Sequence, residues 1–75
     1  MYTPSDIDKK KLENNFTYHA PKGDQTARYE TIRAKAKELA ELMTVSCPPS
    51  RELSVAITEL ETSVMWANAA IARGE

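Results

Sequence analysis

The chemically richest stretch of the chain is TYHAPKGDQ, residues 17–25, which holds an aromatic ring, the one histidine and a lysine. Tyr18 offers a flat π-surface with a polar tip, suited to stacking on a nucleobase. Lys22 supplies a mobile positive charge. Asp24 is a favourable N-cap for a helix whose first N–H groups attract phosphate. The stretch therefore indicates an anionic ligand that carries a base.

Two arginines follow on the helix that this stretch opens. Arg28 lies in the first turns, and Arg33 lies about 90° from the centre of the apolar stripe, one turn beyond Tyr29. A guanidinium group is planar and matches the oxygens of a phosphate. The predicted ligand-binding residues are Tyr18, His19, Lys22, Arg28 and Arg33.

The aromatic and polar residues also have an ordinary structural explanation. In that explanation Tyr18 would pack the loop onto the helices, His19 would be a hydrogen-bonded loop residue and Lys22 would be solvated. Tyr29 would belong to the core, and Trp66 to the core or to an interface. The combination carries more information than any single member, because an aromatic ring, several cations and a helix start fall within one short span.

Catalytic and metal-binding patterns are absent from the sequence. It has one cysteine and one histidine, and no HExxH, Gly-rich phosphate loop or Ser elbow. Cys47 and His19 lie at opposite ends of one predicted helix, roughly 30–35 Å apart. They are also too few for a structural zinc site, and a single cysteine forms no internal disulfide. We predict no catalytic residue, no metal and no cofactor, and hence no enzyme.

The charge is distributed unevenly along the chain. The net charge of the 75 residues is −1, which favours no nucleic-acid polymer as partner. Residues 16–37 carry five cations against two carboxylates, a net of +3, whereas residues 38–75 carry a net of −4. One end of the folded molecule is therefore expected to be locally positive, although a solvated face of mixed charge explains the same pattern.

The N-terminal sequence MYTPSDIDKKK lacks the apolar region of a signal peptide, and no run approaches the ~18 apolar residues of a membrane span. We expect a cytoplasmic protein with no membrane partner, in keeping with its lone thiol.

Periodicity and capping signals predict an all-α fold with three helices in one domain, residues 1–75. A short helix in residues 1–15 begins near Thr3, its expected N-cap, with Pro4 at the first helical position. Two long amphipathic helices follow at 25–46 and 51–73, separated by SCPPS, whose prolines end one helix before Ser50 caps the next. So short a connection requires an antiparallel hairpin, in which the facing apolar stripes bury each other.

The third helix carries more apolar surface than one partner helix covers. Its apolar residues spread around the circumference from Val55 to Ala70. Either the first helix folds back over them or other copies of the chain do. The first helix has only Ile7 and Leu12 as a thin stripe, so we favour an oligomeric helical assembly. A chain of this length rarely gains more than ~3–5 kcal/mol from its own core, which supports the same expectation.

Over residues 16–75 the sequence resembles a family of small phage proteins, the anti-CBASS sponges, whose hairpin domain is shared with phage anti-Thoeris sponges. The resemblance rests on TYHAPKGDQ, IRAKAKELAEL, CPPSREL and VMWANAAIARGE. It implies a homohexamer that binds cyclic dinucleotides such as cyclic GMP-AMP between protomers, without cleaving them, in the cytoplasm of the infected bacterium. Immune signalling by the host is thereby blocked.

The resemblance also implies roles for particular residues. Tyr18 matches a tyrosine that stacks on a base, and Arg33 matches a phosphate-binding position that is often lysine. Some members bind cyclic trinucleotides through an arginine on the third helix. The matching residues 55–61 contain no arginine, so a second site would need Arg51 or Arg73 from another protomer.

Two other functions compete with the sponge. The apolar surface of the third helix suits a protein–protein adaptor or inhibitor. A small nucleic-acid binder is the weakest hypothesis, because of the net charge and the two prolines in the hairpin turn.

Overall fold

The computed structural model describes all 75 residues and contains three α-helices and no strand. The helices are α1 (Asp6–Asn15), α2 (Gln25–Ser46) and α3 (Arg51–Gly74). The prediction of an all-α chain with three helices is confirmed.

The start of α1 differs from the prediction. Ser5, and not Thr3, is the N-cap: the backbone N–H of Asp8 donates to Ser5 Oγ at 3.1 Å. Pro4 consequently precedes the cap instead of opening the helix. Asp6 and Asp8 occupy the first turn, where carboxylates complement the helix dipole. Thr3 and Ser5 were both plausible caps, and Ser5 is the cap because its extended backbone places Oγ over the first turn.

The connection between α2 and α3 agrees with the prediction from the sequence. The N–H of Cys47 donates to Met43 O at 3.0 Å and closes the last turn of α2, and Pro48 comes directly after it. Ser50 then caps α3, since its Oγ accepts from the N–H of Leu53 at 3.2 Å. The short connection brings α2 and α3 side by side, and they are the pair of helices that pack extensively on each other.

The interface between α2 and α3 is thin. Apolar residues of α3 that face α2, such as Ile57, Leu60 and Val64, are half-buried, and no apolar residue is fully buried. The expectation that the two stripes bury each other is therefore met only in part. Two helices alone enclose no space, so every side chain between them keeps one side open to water. The one buried residue is polar, Gln25, with 4% of its surface exposed.

The molecule is flat and open, measuring 49 × 38 × 13 Å. Its Cα radius of gyration is 16.7 Å, whereas a compact chain of this length has about 11 Å. The accessible surface is 6290 Å², against about 4600 Å² for a compact monomer of this mass. α1 does not fold back over α3, and Met65 and Trp66 remain 69% and 64% exposed. None of the helices combines the length and apolar character that a membrane span requires.

Candidate ligand-binding site

The loop between α1 and α2 is anchored at its first half by α1. His19 Nε2 lies 2.8 Å from Asn14 O, and because a carbonyl accepts, this nitrogen carries the proton. Thr17 Oγ1 donates to Glu13 O at 2.5 Å. Asn14 Nδ2 in turn donates to Arg73 O at 3.2 Å, which joins the end of α1 to the last turn of α3. The first half of the loop is therefore held near the open end of the hairpin.

The second half of the loop turns tightly into α2. Gly23 has φ of +57°, a left-handed conformation that glycine adopts without strain. The N–H of Gln25 donates to Lys22 O at 3.1 Å, and Gln25 Oε1 accepts from the N–H of Lys22, also at 3.1 Å. The expected side-chain cap by Asp24 does not form; its carboxylate pairs with Arg28 at 3.1 Å instead. The buried Gln25 side chain thus replaces Asp24 in satisfying the turn.

Four residues at the open end of the hairpin form what we call the clasp: Lys22, Gln25, Arg28 and Glu75. Arg28 donates from both Nη atoms to the Glu75 carboxylate, at 2.7 and 2.5 Å. Gln25 Nε2 donates to the same carboxylate at 3.2 Å, and Lys22 Nζ donates to Glu75 O at 3.0 Å. The clasp therefore fastens the end of α3 to the beginning of α2.

The clasp shifts the acidity of both of its charged partners. Hydrogen bonds from Arg28, and then from Gln25, lower the pKa of Glu75 from 4.5 to about 2, and the charges of Arg28 and Lys22 act in the same direction. The bond to Glu75 likewise raises the pKa of Arg28 above its ordinary value. Both groups therefore stay charged throughout the physiological pH range.

Beside the clasp lies a groove that we call the Tyr18 groove, with a volume of about 370 Å³. It is bounded by the loop on one side and by α2 and α3 on the others. Its lining residues are Asn15, Thr17, Tyr18, His19, Tyr29, Arg33, Asn68, Ala69, Ala72 and Arg73. The groove thus combines polar and apolar surface, with two tyrosine rings and two arginines.

Several polar groups of the Tyr18 groove have no partner within the chain. Tyr18 is 84% exposed, so its ring is available for stacking. Arg33 is exposed and belongs to none of the ion pairs of the molecule. Asn68 Oδ1 is buried and has no hydrogen-bond partner. Such a groove can stack a flat ring and hold an anion at the same time.

The five predicted site residues lie in two adjoining regions, and Tyr18 and His19 also line a neighbouring pocket together with Lys22. Tyr18, His19 and Arg33 line the Tyr18 groove. Lys22 and Arg28 are engaged by Glu75 in the clasp. That all five contact one ligand stays a prediction.

Three residues of the Tyr18 groove were not predicted to share a site with Tyr18, although Arg73 was considered for a second site. Tyr29, expected in the core, is half-buried and lines the groove, and Asn68 and Arg73 reach it from α3. Arg73 also lies over the ring of Trp66, with Cζ 5.9 Å from the centroid. An antiparallel hairpin brings the C-terminal turns of α3 beside the start of α2. This pairing of the two helix ends is the signal from which Tyr29, Asn68 and Arg73 could have been identified.

The partner of the clasp was missed as well. Glu75 lies 47 residues from Arg28 along the chain, so no local spacing links them. Two signals for such a pair were available in the sequence: the excess of cations in residues 16–37 and the acidic second half of the chain.

Fold and groove together define a small all-α hairpin protein with an aromatic and cationic groove at its open end. The chain belongs to the Acb2/Tad1 hairpin-domain family, the family of phage anti-CBASS and anti-Thoeris sponges, whose family model matches residues 8–72. Membership indicates a sponge-type phage anti-defence protein that binds cyclic oligonucleotide messengers.

The family match extends further toward the N-terminus than the resemblance seen in the sequence, which began at residue 16. Most of α1 therefore belongs to the family's domain. Comparisons with curated proteins and with solved structures gave no significant match.

Proposed function

We propose that this protein sequesters a cyclic dinucleotide of the cyclic GMP-AMP type in the Tyr18 groove without altering it chemically. The observation that carries the proposal is the pairing, within one groove of a sponge-family protein, of an exposed ring at Tyr18 with an unpaired guanidinium at Arg33. A base stacks on the first, and the second binds a phosphate oxygen.

The charge of the groove supports an anionic ligand. Arg33 and Arg73 line it, and no carboxylate does. A cyclic dinucleotide carries two phosphodiester charges, one for each arginine. Sequestration involves no bond cleavage, so the protein acts as a binder and not as an enzyme, and it needs no metal or cofactor.

We further propose that other copies of the chain complete the site, with a homohexamer as the state that the family resemblance implies. A second groove, of about 380 Å³, runs between α2 and α3 and is lined mainly by apolar residues. Val55, Met65 and Trp66 are exposed on α3 as well. A neighbouring copy that covers these surfaces also narrows the Tyr18 groove, which desolvates a bound phosphate and strengthens its interactions. The 75 residues act as one domain in this assembly, in the cytoplasm of the infected bacterium.

Calorimetric titration of the full chain with cyclic di- and trinucleotides tests the proposal. We expect submicromolar binding of at least one cyclic dinucleotide, about −8 kcal/mol or better. The ligand should be recovered intact after heat denaturation of the complex, as shown by chromatography against an untreated standard. A cleaved ligand, or no binding across the panel, would contradict the proposal. A trinucleotide that still binds when the dinucleotide site is saturated would establish a second site.

The exposed apolar surface of α3 also keeps the adaptor hypothesis open. Its Met65 and Trp66 could contact a host protein instead of a second copy. The molecular mass in solution separates the two: an assembly of identical chains supports the sponge, and a stable monomer that binds no cyclic nucleotide supports the adaptor.

A further inference from the structure

The side chain of Asn68 is unusual for its position in the middle of α3. Its Oδ1 atom is buried and makes no hydrogen bond, and the whole carboxamide has no partner in the chain. Native structures pair the large majority of buried polar side-chain atoms, so an unpaired one calls for an explanation.

Local structure gives no reason for asparagine here. Asn68 lies between Ala67 and Ala69, and its side chain caps no helix end and bonds to no backbone group. Asparagine is also a weaker helix former than alanine or leucine. An apolar residue of similar size would remove the unpaired atom at no cost to α3. The fold therefore does not require this side chain.

The surroundings of Asn68 suggest a role in ligand binding. It lines the Tyr18 groove, as do Tyr18 and Arg33. Stacking recognises any base and a guanidinium recognises any phosphate, so neither distinguishes one base from another. A carboxamide offers one acceptor and two donors, the pattern that hydrogen-bonds the edge of a base. Because neither polar atom is engaged, the group can turn about its Cβ–Cγ bond without breaking a hydrogen bond.

We propose that Asn68 hydrogen-bonds the edge of the base stacked on Tyr18 and thereby sets the base preference of the groove. This inference rests on the proposed function. The carboxamide pairs with an edge that places a donor beside an acceptor, which adenine offers at its amino group and ring nitrogen and guanine at N1–H and O6. A carboxylate at the same position would repel the ring acceptor of adenine but would accept twice from guanine, which offers two adjacent donors at N1 and N2.

The test is a specificity switch measured by calorimetry with cyclic di-AMP and cyclic di-GMP. For Asn68→Asp we expect the ratio of the two affinities to move toward guanine by about tenfold or more, because one base-edge pair contributes on that scale. Asn15→Asp is the matched control, since it adds the same charge to the same groove. An equal shift in the control, or no shift in Asn68→Asp, would overturn the inference.

A second variant distinguishes a ligand-binding role of Asn68 from a purely structural one. Asn68→Leu removes the unpaired atom, so we expect a higher unfolding temperature together with weaker binding of both ligands. Unchanged binding would overturn the inference. A changed molecular mass in solution would overturn it as well, by assigning Asn68 to packing between copies. Failure of the proposed function is distinct: the wild-type chain would then bind no cyclic dinucleotide, cyclic GMP-AMP included.

Discussion

The clasp and the Tyr18 groove lie side by side at the open end of the hairpin, and both contain arginine. In the clasp, Arg28 makes two hydrogen bonds to Glu75, and its charge is neutralised within the chain. In the groove, Arg33 has no such partner and Tyr18 is largely exposed. Residue type therefore does not show which arginine the fold uses for its own ion pairs. Arg28 and Arg33 differ in whether the fold already supplies a counter-charge.

His19 lies between these two environments. Its Nε2 is committed to Asn14 O, yet its ring lines the groove beside Tyr18. We infer that His19 chiefly holds the loop in position.

Replacing each arginine in turn should have the largest effect and should separate the roles of Arg28 and Arg33. Arg33→Ala should weaken binding of a cyclic dinucleotide by about tenfold to a hundredfold, since charge-assisted hydrogen bonds contribute about 1.5–3 kcal/mol. Its unfolding temperature should stay near that of the wild type. Arg28→Ala should do the opposite, lowering the unfolding temperature while the folded protein still binds. Calorimetry and thermal circular dichroism measure the two effects, and equal loss of affinity in both variants would place Arg28 on the ligand.

Removing the aromatic ring should have the next largest effect. Tyr18→Ala should weaken binding about fivefold to a hundredfold, because stacking of one base contributes about 1–3 kcal/mol. Tyr18→Phe keeps the ring and serves as the matched control. Titrations that give the same affinity for the Ala and Phe variants would exclude stacking on this ring.

Changing the clasp carboxylate should alter stability and its pH dependence. The folded pKa of Glu75, about 2, lies below its ordinary value of 4.5. The stabilisation from its ionised form is therefore complete above pH 4.5 and is lost as the pH falls toward 2. Glu75→Gln should lower the unfolding temperature at neutral pH, and the difference from wild type should shrink in that acidic window. Glu59→Gln, which changes an exposed carboxylate outside any ion pair, should show neither effect.

The smallest expected effect concerns the turn that presents Lys22 and Gln25 to the clasp. Gly23→Ala meets no atom within 4 Å but forces a side chain into a left-handed conformation, at about 1 kcal/mol. Gly74→Ala is the control, because it too has open space and its backbone is helical. Denaturant unfolding should show a loss of stability for Gly23→Ala and little change for Gly74→Ala. Equal midpoints would mean that the turn accommodates alanine at residue 23 without strain.

The sequence predicted much of the local structure. The proline pair and Ser50 located the hairpin turn, and the apolar spacing located α2 and α3. The start of α1 was misplaced because Thr3 and Ser5 are both good caps, and side-chain geometry decided between them. Tyr18 and Arg33 were identified as candidates from their chemistry and the family resemblance, and the structure brings them to one groove.

By itself the sequence determined the helices and the family of this protein, because helix formation, capping and apolar periodicity depend on residues a few positions apart. The tertiary structure decided which cations are free to meet a ligand. Glu75 reaches Arg28 and leaves Arg33 unpaired only because the hairpin brings the end of α3 to the start of α2. A contact between residues so far apart in the chain depends on the register of two helices, and no local pattern encodes that register.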